Sequence, residues 1–258
     1  MKDVLETMIA AANAGGAVLR DRFQHLDELK IIEKGTSDFV SAADLASEEA
    51  IKSFFPGARF QAEETKEGRV TSGERFIIDP LDGTTNFLCG IPHFAVSIAY
   101  WDDAGALAGV ILDVPKNELF VAERGKGARL GSRALHGSPR KTLHESVIHT
   151  GVPHRGRGDH EVYLKQLARV MNEVAGIRRL GAAALDFCYV AAGRGEAFFE
   201  KDLQPWDMAA GMLIVREAGG VVTDFSGKDD MMANTQVCVA MPDVHAALLP
   251  LLRDVTIL

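Results

Sequence analysis

The stretch IIDPLDGTTNF, residues 77–87, combines three local signals: a strand, a turn fixed by proline and the start of a helix. Its apolar start completes a short run that predicts a buried β-strand, and this strand delivers Asp79 at its carboxyl end. Pro80 fixes its own φ and restricts the residue before it, so Asp79 and Asp82 are held close together on a stiff turn. The small polar residues 83–86 then open a predicted helix, whose free N–H groups can receive a phosphate.

Two rigidly held carboxylates without a neighbouring His or Cys favour Mg2+ over zinc or copper. The alternative is that Asp79 and Asp82 only cap a helix and solvate a turn, as Asp residues commonly do. A DxxD pattern alone favours this alternative. The longer context of strand, proline turn and helix start indicates a metal and phosphate site instead.

Composition limits the classes of function. The chain has 258 residues, 47% of them hydrophobic and 25% charged, as is typical of a folded globular protein. The formal net charge of -8 argues against broad binding to nucleic acids or anionic membranes, which requires a basic surface. Three widely spaced cysteines without a CxxC pair indicate reduced thiols. With no signal-peptide pattern and no long apolar stretch, we expect a cytoplasmic protein without a membrane or nucleic-acid partner.

Apolar spacing predicts the elements of the first half. Helices are expected over residues 4–23 and 43–55, and the polar segment EKGTSDF, residues 33–39, is interpreted as a loop between them. Strands are expected over residues 76–79, 95–101, 108–114 and 119–123. Short turns join the last three strands, which predicts an antiparallel meander.

Strands and helices alternate in the second half, which predicts an α/β arrangement. The expected strands cover residues 147–150, 177–180 and 197–200 and lie near 221 and 237, and the expected helices cover 160–174, 183–192, 206–218 and the end of the chain. The fold class is therefore mixed α/β, with an α+β first half and an α/β second half.

Three further segments extend the pattern of DPLDGTT, residues 79–85. They are EKGTSDFVSAAD (residues 33–44), AEET (62–65) and QPWDMAAGMLIVREAGG (204–220). Taken in their order along the chain, the four segments resemble the signatures of the inositol monophosphatase family, and they extend over nearly its whole length. The resemblance implies a layered αβαβα sandwich of the sugar-phosphatase type. We expect a single unit over residues 1–258 with two subdomains: about 1–140, with the antiparallel sheet and most metal ligands, and about 141–258, with Asp207 and the substrate contacts.

The resemblance also implies a metal site. Its ligands would be Glu63, Asp79, Asp82, Asp207 and the carbonyl of Leu81. They would hold roughly two to three Mg2+ ions, for which Mn2+ can substitute. The alternatives are a solvated loop for Glu63 and a helix-dipole contact for Asp207. Because these residues lie far apart in sequence, the two halves would meet at the active site.

By the same resemblance, water attacks phosphorus directly and no phosphoenzyme forms. Thr84 and Asp44 would orient the water, with the Asp44 carboxylate accepting the Thr84 proton and Glu63 assisting. Asp44 is alternatively the N-cap of the second helix. Lys34 and Asp38 correspond to a mobile loop that closes on the site, and the alternative for both is a solvated surface loop.

Substrate contacts follow from the resemblance as well. The segment Gly181, Ala182 and Ala183 would approach a polyol ring through backbone groups, and Glu200 would accept hydroxyl hydrogen bonds unless it is only a strand-end charge. The implied substrate set also includes Glu63, Leu81, Asp82, Gly83, Thr84 and Asp207. Four positions depart from the family pattern: Ser41, Ala62, Cys89 and Ala182. Ala182 and Cys89 lie near the expected substrate region, so they bear on substrate choice.

The expected activity is Mg2+-dependent, Li+-sensitive hydrolysis of a small polyol phosphate monoester by a homodimer. The first candidate substrate is myo-inositol 1-phosphate, which would give inositol and phosphate. Alternatives within the superfamily are fructose-1,6-bisphosphatase, nucleotide 3'-phosphatase and histidinol-phosphatase. An alternative from another class is an additional binding role in transcription or RNA metabolism.

Overall fold

The computed structural model describes residues 2–28, 31–35, 38–64, 72–154 and 158–253, and for residues 2, 28, 31–35 and 38–41 it describes only the backbone. The helices are α1 (Lys2–Phe23), α2 (Ala42–Lys52), α3 (Thr84–Leu88), α4 (His160–Met171), α5 (Ala183–Ala191), α6 (Pro205–Glu217), α7 (Met231–Asn234) and α8 (Pro242–Leu252). The strands are β1 (Ile31–Gly35), β2 (Asp38–Ser41), β3 (Phe60–Ala62), β4 (Arg75–Asp82), β5 (Ala95–Asp102), β6 (Gly105–Asp113), β7 (Glu118–Glu123), β8 (Ala128–Leu130), β9 (Arg133–Ala134), β10 (Val147–Thr150), β11 (Gly176–Arg178), β12 (Ala197–Lys201), β13 (Val221–Thr223) and β14 (Gln236–Ala240).

The elements stack in alternating layers. Helices α1 and α2 pack on one face of a seven-stranded sheet, and α5 and α6 lie between its other face and a five-stranded sheet. Helices α4 and α8 cover the outer side of the five-stranded sheet. Apolar side chains fill the space between neighbouring layers, since each sheet and helix must bury its hydrophobic face. The predicted mixed α/β class and αβαβα layering are confirmed.

The seven-stranded sheet positions the DPLDGTT turn. Its strands run in the order β3-β4-β5-β6-β7-β8-β9, with β3 parallel to β4 and all other pairs antiparallel, so the predicted meander is confirmed. Side chains alternate along β4: Phe76 and Ile78 join the core under α1 and α2, whereas Ile77 joins the core under α5 and α6. Both faces of β4 are therefore buried up to the turn.

The five-stranded sheet has the order β11-β10-β12-β14-β13. Strands β11, β10 and β12 are parallel, and β14 runs antiparallel to both of its neighbours. Helix α6 follows β12 in the chain but packs against the first sheet, where Gly109 of β6 lies under Ala210. Helix α6 therefore links the two sheets. The subdomain boundary near residue 140 stays a prediction.

The predicted loop over residues 33–39 is wrong. In the structure β1 and β2 pair as an antiparallel hairpin, with Ile31 opposite Ser41 and Ile32 opposite Val40. The β-branched residues Ile31, Ile32 and Val40, which favour strands, lie outside residues 33–39. The polar composition of the segment itself therefore predicts a loop. Strands β3, β8 and β9 were not predicted either, because two or three residues are too few to show an alternating pattern.

Across the part of the chain that the structure describes, no helix combines the length and the apolar character needed to cross a bilayer.

Candidate metal and phosphoester site

Three carboxylates converge at the end of β4. One oxygen each of Asp79, Asp82 and Asp207 lies within 4.8 Å of the others. Side chains three positions apart on a regular strand point to opposite faces, but the pairing of β4 with β5 shifts register between Asp79 and Asp82. This irregularity, at Pro80 and Leu81, explains how Asp79 and Asp82 turn to the same side.

Asp207 reaches the cluster from the first turn of α6. The backbone N–H of Gln204 donates to Asp207 Oδ2 at 2.6 Å, which forms a capping box, and Pro205 starts the helix. The alternative for Asp207, a role at the helix start, is therefore present together with its place in the cluster. One residue performs both tasks because the start of α6 points at the end of β4.

Asp82 connects the end of β4 to the start of α5. Its Oδ2 accepts the N–H of Ala184 at 2.8 Å in the first turn of α5. The starts of α5 and α6 thus both face the carboxylates, and the electropositive end of each helix favours negative charge there. The two helix N-termini therefore stabilise negative charge on the clustered carboxylates, an effect that depends on the tertiary structure.

The charges in the cluster oppose one another. Burial raises the pKa of Glu63 well above its ordinary value, and the neighbouring Asp207 raises it further. Burial and the charge of Glu63 raise the pKa of Asp79, while burial and Asp207 raise that of Asp82 against the lowering effect of the Ala184 N–H. Such a group cannot be fully ionised without a counter-charge. Its donors are all carboxylate oxygens, so a hard divalent cation fits the cluster.

Glu63 lies beside the three aspartates. It follows β3, its N–H donates to the carbonyl of Ile78 at 3.3 Å, and its charge raises the pKa of Asp79. Glu63 lines the pocket and is desolvated, which favours a place in the site over a solvated loop.

Thr84 has two acceptors for its hydroxyl. The Oγ1 atom lies 3.0 Å from the carbonyl oxygen of Leu81 and 3.4 Å from Asp44 Oδ1. The carbonyl contact is the stronger of the two, because 3.4 Å is long for a hydroxyl hydrogen bond. Asp44 is fully buried in the first turn of α2, and not at its N-cap, since α2 begins at Ala42. The structure thus places Thr84 between the Leu81 carbonyl and Asp44, the residue that the sequence pairs with it.

The turn after β4 is bound to the segment before α5. Gly83 and Gly181 both have left-handed φ, of 89° and 88°, and a Cβ on Gly83 would lie 3.3 Å from the carbonyl oxygen of Gly181. The Asn86 amide donates to the carbonyl of Leu180 at 2.9 Å and to that of His93 at 2.8 Å. Glycine is required where the backbones approach this closely.

A pocket of about 230 Å³ opens over the carboxylates. Nine of the residues expected from the sequence line it: Glu63, Asp82, Gly83, Thr84, Gly181, Ala182, Ala183, Glu200 and Asp207. Asp44, Asp79 and Leu81 lie next to it and are buried. The volume is below the roughly 300 Å³ at which pockets for drug-sized ligands begin, so a small substrate fits best.

The Glu200 carboxylate packs against the backbone of Gly151. A Cβ on Gly151 would lie only 1.8 Å from Glu200 Oε1, so a side chain at this position would displace the carboxylate. Burial raises the pKa of Glu200 well above its ordinary value, and the charge of Asp186 adds to this shift. Glu200 belongs to β12 and faces the pocket, so it is more than a solvated charge at a strand end.

Lys34 and Asp38 belong to β1 and β2, but their side chains lie outside the described residues, as does Thr65 of the AEET segment. The role of the expected mobile loop stays a prediction.

Sequence reasoning missed several pocket residues. They are Thr150, Gly151, Tyr163, Arg179, Asp186 and Lys201. Only Asp186 carried a visible signal, because it is the single charged residue of the apolar helix AALDFCYVA, α5. A lone carboxylate in such a helix needs a reason to be buried.

Comparisons with known proteins add an independent line of findings. The model of the inositol monophosphatase family matches residues 1–256. The inositol-1-monophosphatase of Rhizobium meliloti (strain 1021) is 48% identical over 229 residues, which cover 87% of this chain and 86% of that protein. The Nus factor SuhB of Escherichia coli (strain K12) is 39% identical over 259 aligned positions, which cover 98% and 97%. The solved structure of the native extragenic suppressor protein suhB from Bartonella henselae matches with a TM-score of 0.94 and 44% identity, covering 98% of this chain and all of that one.

Proposed function

The chain belongs to the inositol monophosphatase family and is a phosphatase, and on this premise we propose that it hydrolyses the phosphate monoester of a small polyol with Mg2+. The proposed substrate is myo-inositol 1-phosphate, and the products are inositol and phosphate. Two relatives that are 48% and 46% identical bear the name inositol-1-monophosphatase, which supports this choice.

One observation carries the proposal more than any other. The oxygens of Asp79, Asp82 and Asp207 lie within 4.8 Å of one another under a small open pocket. Together with Glu63 and the carbonyl of Leu81, these residues would hold roughly two to three Mg2+ ions. Phosphatase sites with two metals stabilise both the attacking and the leaving oxygen. When bound, Mg2+ supplies a water of lowered pKa and stabilises the negative charge on the phosphate oxygens.

The protein's own groups would orient the attacking water. Thr84 donates its single hydroxyl proton, so its oxygen lone pairs remain available to accept a hydrogen bond from water. As the water loses a proton to Thr84, the Thr84 proton passes to Asp44, whose Oδ1 lies at 3.4 Å. This relay requires the Thr84 hydroxyl to turn from Leu81 to Asp44, and Glu63, which lines the same pocket, would assist.

The polyol would lie against the segment Gly181 to Ala183 and the Glu200 carboxylate, which line the same pocket. An ionised carboxylate accepts hydrogen bonds from two hydroxyls, and neighbouring ring hydroxyls offer such a pair. The pocket also contains Arg179, whose positive charge lowers the pKa of both Asp186 and Glu200.

The proposal is tested by phosphate release from a panel of monoesters in Mg2+: myo-inositol 1-phosphate, fructose 1,6-bisphosphate, a nucleotide 3'-phosphate and histidinol phosphate. We expect the highest kcat/KM with the inositol ester and inhibition by Li+. If another member of the panel is preferred by a wide margin, the substrate is wrong but the phosphatase assignment stands. Hydrolysis of none of them would contradict the proposed function.

A second candidate function rests on the relative named Nus factor SuhB. We propose that a binding role in transcription or RNA metabolism accompanies hydrolysis, with a protein as direct partner because of the net charge of -8. An Asp82→Asn variant that no longer hydrolyses esters but still captures the same transcription proteins as the wild type would support this role. Loss of capture together with hydrolysis would contradict a separate role.

Homodimer formation and a cytoplasmic location complete the proposal. Sedimentation equilibrium of the purified chain would reveal the dimer by its mass, and a monomer at micromolar concentration would contradict it. Fractionation of the producing cells would test the location.

A further inference from the structure

Asp186 is a buried carboxylate with no role in the proposed reaction so far. It lies in α5, has 1% of its surface exposed and contributes to the wall of the pocket. Its neighbours on the helix are apolar, and no metal ligand proposed above lies within two positions of it. Burying a carboxylate is costly unless hydrogen bonds compensate, so its partners identify its task.

One oxygen of Asp186 is fixed by His149. The Nδ1 atom of His149, on β10, lies 2.8 Å from Asp186 Oδ1, and His149 is itself only 2% exposed. An ionised carboxylate only accepts, so Nδ1 carries the hydrogen. A Cβ on Gly195 would lie 2.5 Å from His149 Nε2, which shows that the ring is packed tightly against the Gly195 backbone. The imidazole therefore sets the orientation of the carboxylate.

The other oxygen of Asp186 is left for the pocket. Among the residues that the structure describes, the hydrogen bond from His149 uses Oδ1, and none engages Oδ2. The charge of Asp186 raises the pKa of Glu200, and the charge of Arg179 lowers the pKa of both carboxyls. Asp186, Glu200 and Arg179 all line the same pocket. An acceptor that borders the pocket and takes no hydrogen bond from the protein can take one from a bound hydroxyl.

From this geometry we infer that Asp186 binds a hydroxyl of the substrate as a second carboxylate beside Glu200, with His149 as its positioning residue. The inference rests on the proposed function and names a specificity element within it. Two carboxylates on one wall can accept more hydroxyls than Glu200 alone, which favours a polyol that carries several of them over an ester with few.

The test compares an ester rich in hydroxyls with one that has none. KM and kcat are measured for myo-inositol 1-phosphate and for 4-nitrophenyl phosphate in the wild type and in Asp186→Asn. The variant should raise the ratio of the KM values, inositol ester over nitrophenyl ester, by about tenfold or more, as a lost hydrogen bond to a charged group does. A role confined to folding would affect the two esters alike and leave the ratio unchanged.

His149 provides a matched pair of variants. His149→Leu removes the N–H donor and should raise the same ratio, whereas His149→Asn offers an N–H near the position of Nδ1 and should restore it at least in part. Asp113→Asn is the control: Asp113 is fully buried and accepts the Tyr189 hydroxyl of α5 at 3.3 Å, but it does not line the pocket. This control should leave the ratio at the wild-type value.

Each outcome decides between the claims. An unchanged ratio in a folded Asp186→Asn variant would overturn the inference and leave the proposed function intact. A changed ratio in Asp113→Asn as large as that in Asp186→Asn would also overturn it, because it would reflect movement of α5. Failure of the wild type to hydrolyse any polyol phosphate would overturn the proposed function and this inference with it.

Discussion

Asp82 accepts the backbone N–H of Ala184 at 2.8 Å, which joins the turn after β4 to the first turn of α5. The same carboxylate lies within the cluster formed with Asp79 and Asp207. Asp82 thus connects the packing of the two sheets with the proposed metal site. A substitution of Asp82 can therefore affect the hydrogen bond and the metal site separately.

Asp82→Asn should separate metal binding from folding. The amide oxygen can still accept the Ala184 N–H, and the loss of one negative charge relieves repulsion from Asp207. We expect a metal-free Tm no lower than that of the wild type, loss of the rise in Tm that Mg2+ causes, and a fall in kcat/KM of about 1,000-fold or more. Thermal unfolding with and without Mg2+ measures the first two. Asp243→Asn, at an exposed carboxylate of α8, should keep both the Mg2+ effect and the activity.

Gly151→Ala should weaken substrate binding through Glu200. The new Cβ would lie 1.8 Å from Glu200 Oε1, and the φ of Gly151 is not in the left-handed region, so displacement of the carboxylate is the main effect. We expect KM for myo-inositol 1-phosphate to rise by about tenfold, on the scale of a lost hydrogen bond to a charged group. In Gly176→Ala, the matched control, the new Cβ meets only the end of the Arg178 side chain. Equal KM values for the two variants would disprove the contact's role.

Gly109→Ala should lower stability rather than alter specificity. A Cβ on Gly109 would lie 3.0 Å from the carbonyl oxygen of Ala210 and 3.2 Å from its Cα, so α6 would have to move away from β6. Overpacking of this kind costs about 1–3 kcal/mol in the free energy of unfolding. Urea denaturation measures the change. A variant as stable as the wild type would show that α6 does not pack this closely on the sheet.

The pH dependence of stability should carry a contribution from His93. Burial and the nearby Lys116 lower the pKa of His93 to about 4, with a smaller lowering by the charge of His149 and an opposing effect of Asp113. In the unfolded chain the pKa is about 6.5. Between these values the unfolded state binds the proton more readily, so the free energy of unfolding falls as the pH drops from about 7 towards 4.

His93→Gln removes this titration. The loss of stability between about pH 7 and pH 5 should therefore be smaller in the variant than in the wild type. Urea midpoints at both pH values, taken in chelator so that metal binding does not contribute, give the two differences. Parallel losses would contradict the assignment to His93.

The sequence predicted the fold where its patterns were long. The strand into Asp79, the meander that follows and the alternation of the second half are all present, because periodic burial over many residues leaves a visible pattern. The hairpin of β1 and β2 contradicts the predicted loop, because the polar residues at its centre mask the strand preference of the flanking Ile and Val residues. Short strands such as β9 depend on a neighbouring strand and leave no pattern of their own.

The site was predictable only in part, and the reason is geometric. The motifs identified Asp79, Asp82 and Asp207, and the structure brings them together. They gave no indication that Asp186 and His149 form a buried pair, because residues 37 positions apart meet only when α5 packs on the five-stranded sheet. Nor did they indicate that Gly151 makes room for Glu200, since a glycine carries no chemical signature in a sequence.

The central claim is that Asp79, Asp82 and Asp207 hold Mg2+ for hydrolysis of a polyol phosphate. The most direct test strips the enzyme of metal and measures phosphate release from myo-inositol 1-phosphate while Mg2+ is titrated back, in the wild type and in Asp207→Asn. We predict no turnover without metal, saturable recovery in the wild type, also with Mn2+, and no recovery in the variant. Full turnover by the metal-free wild type, or recovery in Asp207→Asn to the wild-type rate, would contradict the account.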